Sequence, residues 1–257
     1  MDGDADRLVY YFTDSNGFHL LDGDRIAILG AVFLKEMLEK AFLADKLKVA
    51  LIQTAYANGA STEYVRKVLD VPIEVTATGV KHLHHAAARH DIGVYFEANG
   101  HGTILFSEKA IQIIRETEPR NPGQKHAVDS LSATIDLVNQ TVGDAISDML
   151  FVEVVLAHKA WSPEHWLGIY KDLPNRLVRV TVNDRSLFRT EDAERKLGSP
   201  KGIQDEIDKA VASYVKGRAF ARPSGTEDVV RVYAEAHFPR EAEALAANVE
   251  DIVKKYG

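Results

Sequence analysis

Three aspartates, Asp2, Asp4 and Asp6, stand at alternate positions near the start of the chain, with only Gly3 and Ala5 between them. Carboxylates at this spacing converge on one hard cation if the backbone curls, and oxygen-only ligation suits Mg²⁺ or Ca²⁺. An EF-hand loop is excluded, because the places that require Gly and Glu, counted from Asp2, hold Arg7 and Thr13. The competing reading is a solvated acidic terminus. Arg7 favours a site, since a guanidinium beside a metal loop is what a phosphoryl group requires.

A second group lies far along the chain, in Arg222-Pro223-Ser224-Gly225-Thr226-Glu227, between two predicted strands, with Arg231 in the second of them. Gly225 permits a backbone conformation closed to other residues, and successive amides with the Ser224 and Thr226 hydroxyls can form a concave anion nest. Two arginines add bidentate recognition of phosphate oxygens. The alternative is an ordinary hairpin turn with arginines at its rim. Set beside the acidic loop, the pair points to a phosphorylated ligand used with a divalent metal.

The elements that must position these groups belong to a chain of 257 residues with no cysteine and a net charge of -7. Absence of cysteine removes disulfide scaffolds, thiolate metal sites and cysteine nucleophiles, and suits a reducing compartment, so a cytoplasmic setting is expected. The acidic balance argues against a nucleic-acid partner, and no apolar run has the length of a membrane span.

After a hairpin built from Leu8 to Phe12 and Phe18 to Leu21, a helix begins at Asp22 or Asp24 and buries Ile26, Leu29, Phe33 and Met37. Strands and helices then alternate: Lys48 to Thr54, Ser61 to Leu69, Ile73 to Thr76, Lys81 to Arg89, Ile92 to Glu97, Thr103 to Phe106 and Glu108 to Arg115. This is an α/β pattern with a mixed, largely parallel sheet. Glu118 to Gly123 reads as a break, and helix is predicted from Val128 to about Lys159. Ser162-Pro163 opens a further unit, whose strand pairs and helices suggest a small α+β domain.

Four segments together resemble the α-D-phosphohexomutase superfamily: Asp2 to Arg7, Thr78-Gly79-Val80-Lys81-His82, Glu97-Ala98-Asn99-Gly100-His101, and Arg222 to Thr226. The wording of the third, and of Glu227 to Glu235, is similar to the eukaryotic phosphoacetylglucosamine mutases, and the resemblance covers essentially the whole chain. It implies interconversion of N-acetylglucosamine 6-phosphate and 1-phosphate through a phosphoserine and a bisphosphate, on the way to UDP-N-acetylglucosamine.

On this resemblance Asp2, Asp4 and Asp6 would ligate Mg²⁺ and Arg7 would lie near the transferring phosphoryl. Glu97, Ala98 and Asn99 would form the loop that holds sugar hydroxyls. Arg222, Pro223, Ser224, Gly225, Thr226 and Arg231 would take the phosphate that is not reacting. Lys81 and His101 are both candidates for proton transfer. The implied domains are residues 1–24, a remnant of a second domain with the metal loop; 25–160, a sugar-binding third domain; and 161–257, a phosphate-binding fourth domain. The expected partner is an amino-sugar phosphate, with neither nucleic acid nor membrane.

One part of the family pattern is missing. No serine here is followed by His-Asn-Pro, the setting of the family's phosphoserine. The resemblance therefore implies a C-terminal portion that lacks the phosphoryl donor and has no turnover alone. The metal loop is further expected to fray, because strands that would pair with Leu8 to Phe12 are absent. Two rival readings are a non-catalytic sugar-phosphate-binding module and a phosphoglucomutase or phosphomannomutase of the same superfamily.

Overall fold

A computed structural model describes residues 1–257. In chain order the elements are β1 (Tyr10–Asp14), β2 (Gly17–Leu21), α1 (Gly23–Lys40), β3 (Val49–Thr54), α2 (Gly59–Tyr64), β4 (Ile73–Thr76), α3 (Val80–Ala87), β5 (Ile92–Phe96), β6 (Gly102–Phe106), α4 (Glu108–Arg115), α5 (Pro122–Leu137), α6 (Ala145–Lys159) and α7 (Pro163–Leu167). They continue with β7 (Asn175–Thr181), β8 (Arg189–Glu191), β9 (Lys196–Ser199), α8 (Ile203–Val211), β10 (Arg218–Pro223), β11 (Val229–Glu235) and α9 (Pro239–Tyr256). The chain divides into two compact units, residues 1–57 with 61–171, and residues 58–60 with 172–257.

The first unit is built on a four-stranded sheet of order β4-β3-β5-β6, parallel except for β6. Its middle strands read as unbroken apolar runs because both faces are covered. Val49 and Leu51 of β3 pack in the core that holds α1, α5 and α6, while Ala50 and Ile52 pack with Leu83, Ala86 and Ala87 of α3. Gly93 lets α3 lie close: a Cβ there would stand 2.4 Å from the Ala87 carbonyl oxygen.

Helix α1 starts where Asp22 accepts from the Arg25 amide, and it buries more than the predicted stripe, adding Ile28, Leu34 and Leu38. A helix apolar on most sides belongs at the centre of a unit, and α1 is packed by the sheet, α5 and α6.

Several boundaries differ from the sequence reading. The first strand begins two residues later, at Tyr10, and pairs only with β2 across the Asp14 to Gly17 turn. The helix expected over Ser61 to Leu69 is a short α-helix that loosens into a π-helical turn at Val65–Leu69. The long helical stretch is two helices. Asn121 caps α5, with Pro122 at its first position, and α5 ends at Leu137; residues 138–144 form a loop before Asp144 caps α6. Helix α7, expected to open the later unit, belongs to the first, where Trp166 is fully buried and its Nε1 donates to the Arg25 carbonyl at 3.1 Å. Residues 1–24 are likewise not set apart from the rest of that unit.

The second unit carries the antiparallel sheet β10-β11-β7, with α8 and α9 packed on the face that presents Val180, Val230, Val232 and Ala221. Glu235, fully buried at the end of β11, is satisfied by Arg218 (2.8 and 3.0 Å), the Tyr233 hydroxyl (2.6 Å) and the Gly59 amide (3.0 Å). That completeness is what a buried carboxylate requires.

Candidate functional site

The acidic loop curls as the sequence demands of a metal site. Ligand oxygens of Asp2, Asp4 and Asp6 all lie within 4.8 Å of one another. The turn is closed by the Asp6 and Arg7 amides, which both donate to Asp2 Oδ1 at 3.2 Å. Desolvation works against the Asp2 charge, yet these amides hold its carboxyl below the usual carboxylate range. Asp6 Oδ1 is buried and makes no hydrogen bond, and the Arg7 Nε is 3.6 Å away. An all-carboxylate oxygen set with one buried, unused lone-pair donor fits a hard divalent cation.

The loop, expected to fray, is tied to the rest of the unit by backbone hydrogen bonds. Ala5, at φ 58°, accepts from the Ala145 amide at 2.9 Å, and the Leu8 amide donates to the Gly100 carbonyl at 3.0 Å. These bonds replace the strand pairing whose absence suggested a loose terminus.

Between β5 and β6, Glu97 to His101 form a tight loop in which the Gly100 amide donates to Glu97 O and the Glu97 amide to His101 O, each at 2.8 Å. Gly100 sits at φ +87° with its missing Cβ 1.9 Å from Leu8 O, so only glycine fits. The Glu97 carboxylate is oriented from two sides, by the Gly79 amide at 3.1 Å and the Asn99 side-chain amide at 3.3 Å. The Ala98 carbonyl accepts from the Gly23 amide at 3.3 Å, which makes it a backbone anchor.

His101 is mostly buried, with Nδ1 3.3 Å from Asp6 Oδ2. Lys81, exposed in the first turn of α3, lines with Asp6 and His101 a cavity of about 500 Å³ whose other walls include Tyr95 and residues 141–143. Three of the four sequence segments thus meet in the first unit.

In the second unit the Arg222 to Glu227 loop joins β10 to β11. Ser224 is buried, its amide donating to Val229 O at 2.7 Å, and the Thr226 amide points at Ser224 Oγ at 3.4 Å. Gly225 corrects the expectation made of it. It is not among the positive-φ residues, and a Cβ there would meet nothing within 4 Å. What glycine leaves here is open space beside the chain, not a forbidden conformation.

Arg222 is ion-paired with Glu194 at 3.0 Å. The strand register sets Arg222, Arg231 and Arg179 side by side across β10, β11 and β7, and directly opposed residues share a face. Arg179, paired with Glu227 at 2.9 Å, was not singled out in the sequence, because only the register of β7 brings it to the loop.

The sequence reading also missed the 138–144 loop. Its available signal was Gly143-Asp144 ahead of an apolar run, a helix N-cap pattern.

Comparison with known proteins bears on this arrangement. The family profile for phosphoacetylglucosamine mutase AMG1, domain III, matches residues 22–161. The chain belongs to the phosphoacetylglucosamine mutase family. The C-terminal domain profile of phosphoglucomutase/phosphomannomutase matches residues 177–252.

Among relatives, the chain is 52% identical to phosphoacetylglucosamine mutase of Candida albicans over 98% of its own length and 47% of that protein's. It is 56% identical to the Saccharomyces cerevisiae protein of the same name, over 91% of this chain and 43% of that one. The crystal structure of Aspergillus fumigatus N-acetylphosphoglucosamine mutase in complex with GlcNAc-6P and magnesium superposes with a TM-score of 0.98 at 60% identity, covering 100% of this chain and 48% of that one. The chain therefore spans about half the length of the relatives it matches.

Proposed function

We propose that this chain serves the interconversion of N-acetylglucosamine 6-phosphate and N-acetylglucosamine 1-phosphate, an intramolecular phosphotransfer that passes through a phosphoserine and a bisphosphate. The observation that carries the reading is the meeting of Asp6, Lys81 and His101, from three separate sequence segments, on one cavity. Family membership supports it. So do the ligands of the Aspergillus fumigatus structures, GlcNAc-6P with magnesium in one and, in a serine-to-alanine form, glucose 1,6-bisphosphate.

Asp2, Asp4 and Asp6 would hold Mg²⁺, which when bound neutralises charge on a transferring phosphoryl group. Arg7, already against Asp2 and Asp6, is the cation nearest that position. Because phosphoryl transfer leaves a protein mostly positioning and charge neutralisation to do, a metal loop with one guanidinium supplies the charge-neutralising part of the apparatus. Glu97, turned by Gly79 and Asn99, accepts a sugar hydroxyl, and Asn99 supplies the second polar contact. His101 and Lys81 are the groups that reach a hydroxyl at the cavity and move its proton. Arg222, Ser224, Thr226 and Arg231, with the open backbone at Gly225, hold a phosphate.

Titration calorimetry of the chain with Mg²⁺ against N-acetylglucosamine 1-phosphate and glucose 1-phosphate tests the substrate class. We expect the amino sugar to bind more tightly; equal or reversed preference overturns the assignment. Arg222→Ala is expected to weaken both, and indifference to it removes the phosphate role of this loop.

A further inference from the structure

The loop of residues 138–144 belongs to none of the four sequence segments, yet it touches two of them. It is laced to β6, the strand that leaves the sugar loop: Thr103 Oγ1 donates to Asn139 O at 2.9 Å, and the Phe106 amide to Gln140 Oε1 at 2.7 Å. Asn139 Oδ1 in turn accepts from the Thr141 and Val142 amides at 3.0 and 3.3 Å, which rounds the loop toward the metal aspartates.

At its end Gly143 lies close against the His101 imidazole. A Cβ on Gly143 would stand 2.6 Å from His101 Cδ2, 2.7 Å from Nε2 and 3.2 Å from the Asp6 carbonyl oxygen. Gly143 has no positive φ, so its glycine is a matter of space, not of backbone conformation. The next residue, Asp144, caps α6 by accepting from the Ile146 and Ser147 amides at 3.0 and 3.2 Å, which leaves the Ala145 amide to bond Ala5 O at 2.9 Å. Ala5 is the residue between Asp4 and Asp6 and sits in the left-handed region, where a non-glycine residue stays only when its surroundings hold it.

We propose that Gly143 is a positioning residue: its bare Cα seats the His101 imidazole against Asp6, and the start of α6 behind it fixes the bend that turns the aspartates inward. The inference rests on the metal and sugar-phosphate reading above and adds to it a residue of the cavity wall that has no side chain of its own to offer either ligand. The expected defect of Gly143→Ala is therefore specific. The new methyl displaces the imidazole and presses on the Asp6 backbone, while the helices and sheet keep their packing.

The test uses the full chain and two readouts. His101 imidazole resonances in the metal-free protein, observed by ¹⁵N NMR, report the seat itself; Mn²⁺ affinity by calorimetry reports the aspartate loop. Gly143→Ala is expected to shift the His101 resonances and weaken Mn²⁺ at least tenfold. In a His101→Ala background the two shortest contacts are gone and only the 3.2 Å approach to the Asp6 carbonyl oxygen remains, so Mn²⁺ affinity is expected to stay within threefold of His101→Ala alone. Unmoved resonances and unchanged Mn²⁺ affinity overturn the proposal, and so does a tenfold loss that persists without the imidazole.

If Gly143→Ala does not fold, the double variant decides. Folding of His101→Ala with Gly143→Ala supports the contact, and failure of both overturns it. A wild-type chain that takes up no Mn²⁺ overturns the metal reading and the inference with it, a result distinguishable from the others because it appears without any substitution.

Discussion

Asp148 carries a carboxyl that the fold keeps from water, one turn inside α6, with Oδ2 buried and without a hydrogen-bond partner. Burial, and then the neighbouring Asp144 charge, push its pKa up to about 8. Between its ordinary value and about 8 the native state keeps a proton that the unfolded chain has released. Stability therefore falls as pH rises through that window and levels off above it.

Against Asp148→Asn, the wild type is expected to lose up to about 1.4 kcal/mol of stability per pH unit between pH 5 and 8, read from urea midpoints. Parallel curves for the two proteins exclude the effect. Gly225 gives the complementary case. Its Cβ position is empty, so Gly225→Ala should change stability by less than about 0.5 kcal/mol, while the added methyl on the loop is expected to weaken phosphate binding by roughly tenfold. A variant that binds phosphate as the wild type does removes the loop backbone from the site.

The arginines on β10, β11 and β7 gain their meaning only as a row. Like charges opposed across a sheet destabilise it, and Glu194 and Glu227 relieve the outer two while Arg231 in the middle has no carboxylate partner. Arg231→Gln should therefore leave stability unchanged or raise it by a few tenths of a kcal/mol, yet lower phosphate affinity about tenfold. Lost stability with intact affinity would contradict both halves.

Such cross-strand relations are what the sequence conceals. The apolar runs of β3 and β5, the cap and periodicity of α1, and the Ser107-capped α4 were legible because each is a local pattern with a local cause. The 138–144 loop was not, since Val138 and Val142 continue the apolar spacing of the flanking helices and the partners that hold the loop, Thr103 and Phe106, lie more than thirty positions away. The clustered aspartates, the Glu97 loop and the Arg222 loop could be named from residue type and order, but Arg179 and Gly143 enter only through register and packing.

Across the whole chain, the four recognisable segments divide between the two units: the aspartate loop, the Lys81 segment and the Glu97 loop in the first, the Arg222 loop in the second. In the roles proposed above all four hold or neutralise, and none of them carries a phosphoryl group. Catalysis through a phosphoenzyme needs a residue that does, and positioning alone leaves the transfer without an acceptor that passes the phosphoryl from one oxygen to another. No serine among these 257 residues stands before His-Asn-Pro, the sequence that carries the phosphoserine in the family pattern.

We propose that the 257-residue polypeptide by itself binds the amino-sugar phosphate in a Mg²⁺-dependent way and leaves it unconverted, even with glucose 1,6-bisphosphate present to prime the cycle. Phosphorus NMR of N-acetylglucosamine 6-phosphate incubated with this polypeptide reads both properties in one sample: line broadening or shift on binding, and growth of the 1-phosphate signal on turnover. Conversion at a rate that scales with polypeptide concentration, and that Asp4→Asn abolishes, would show that residues within this chain donate the phosphoryl group and that its segments do more than hold and neutralise.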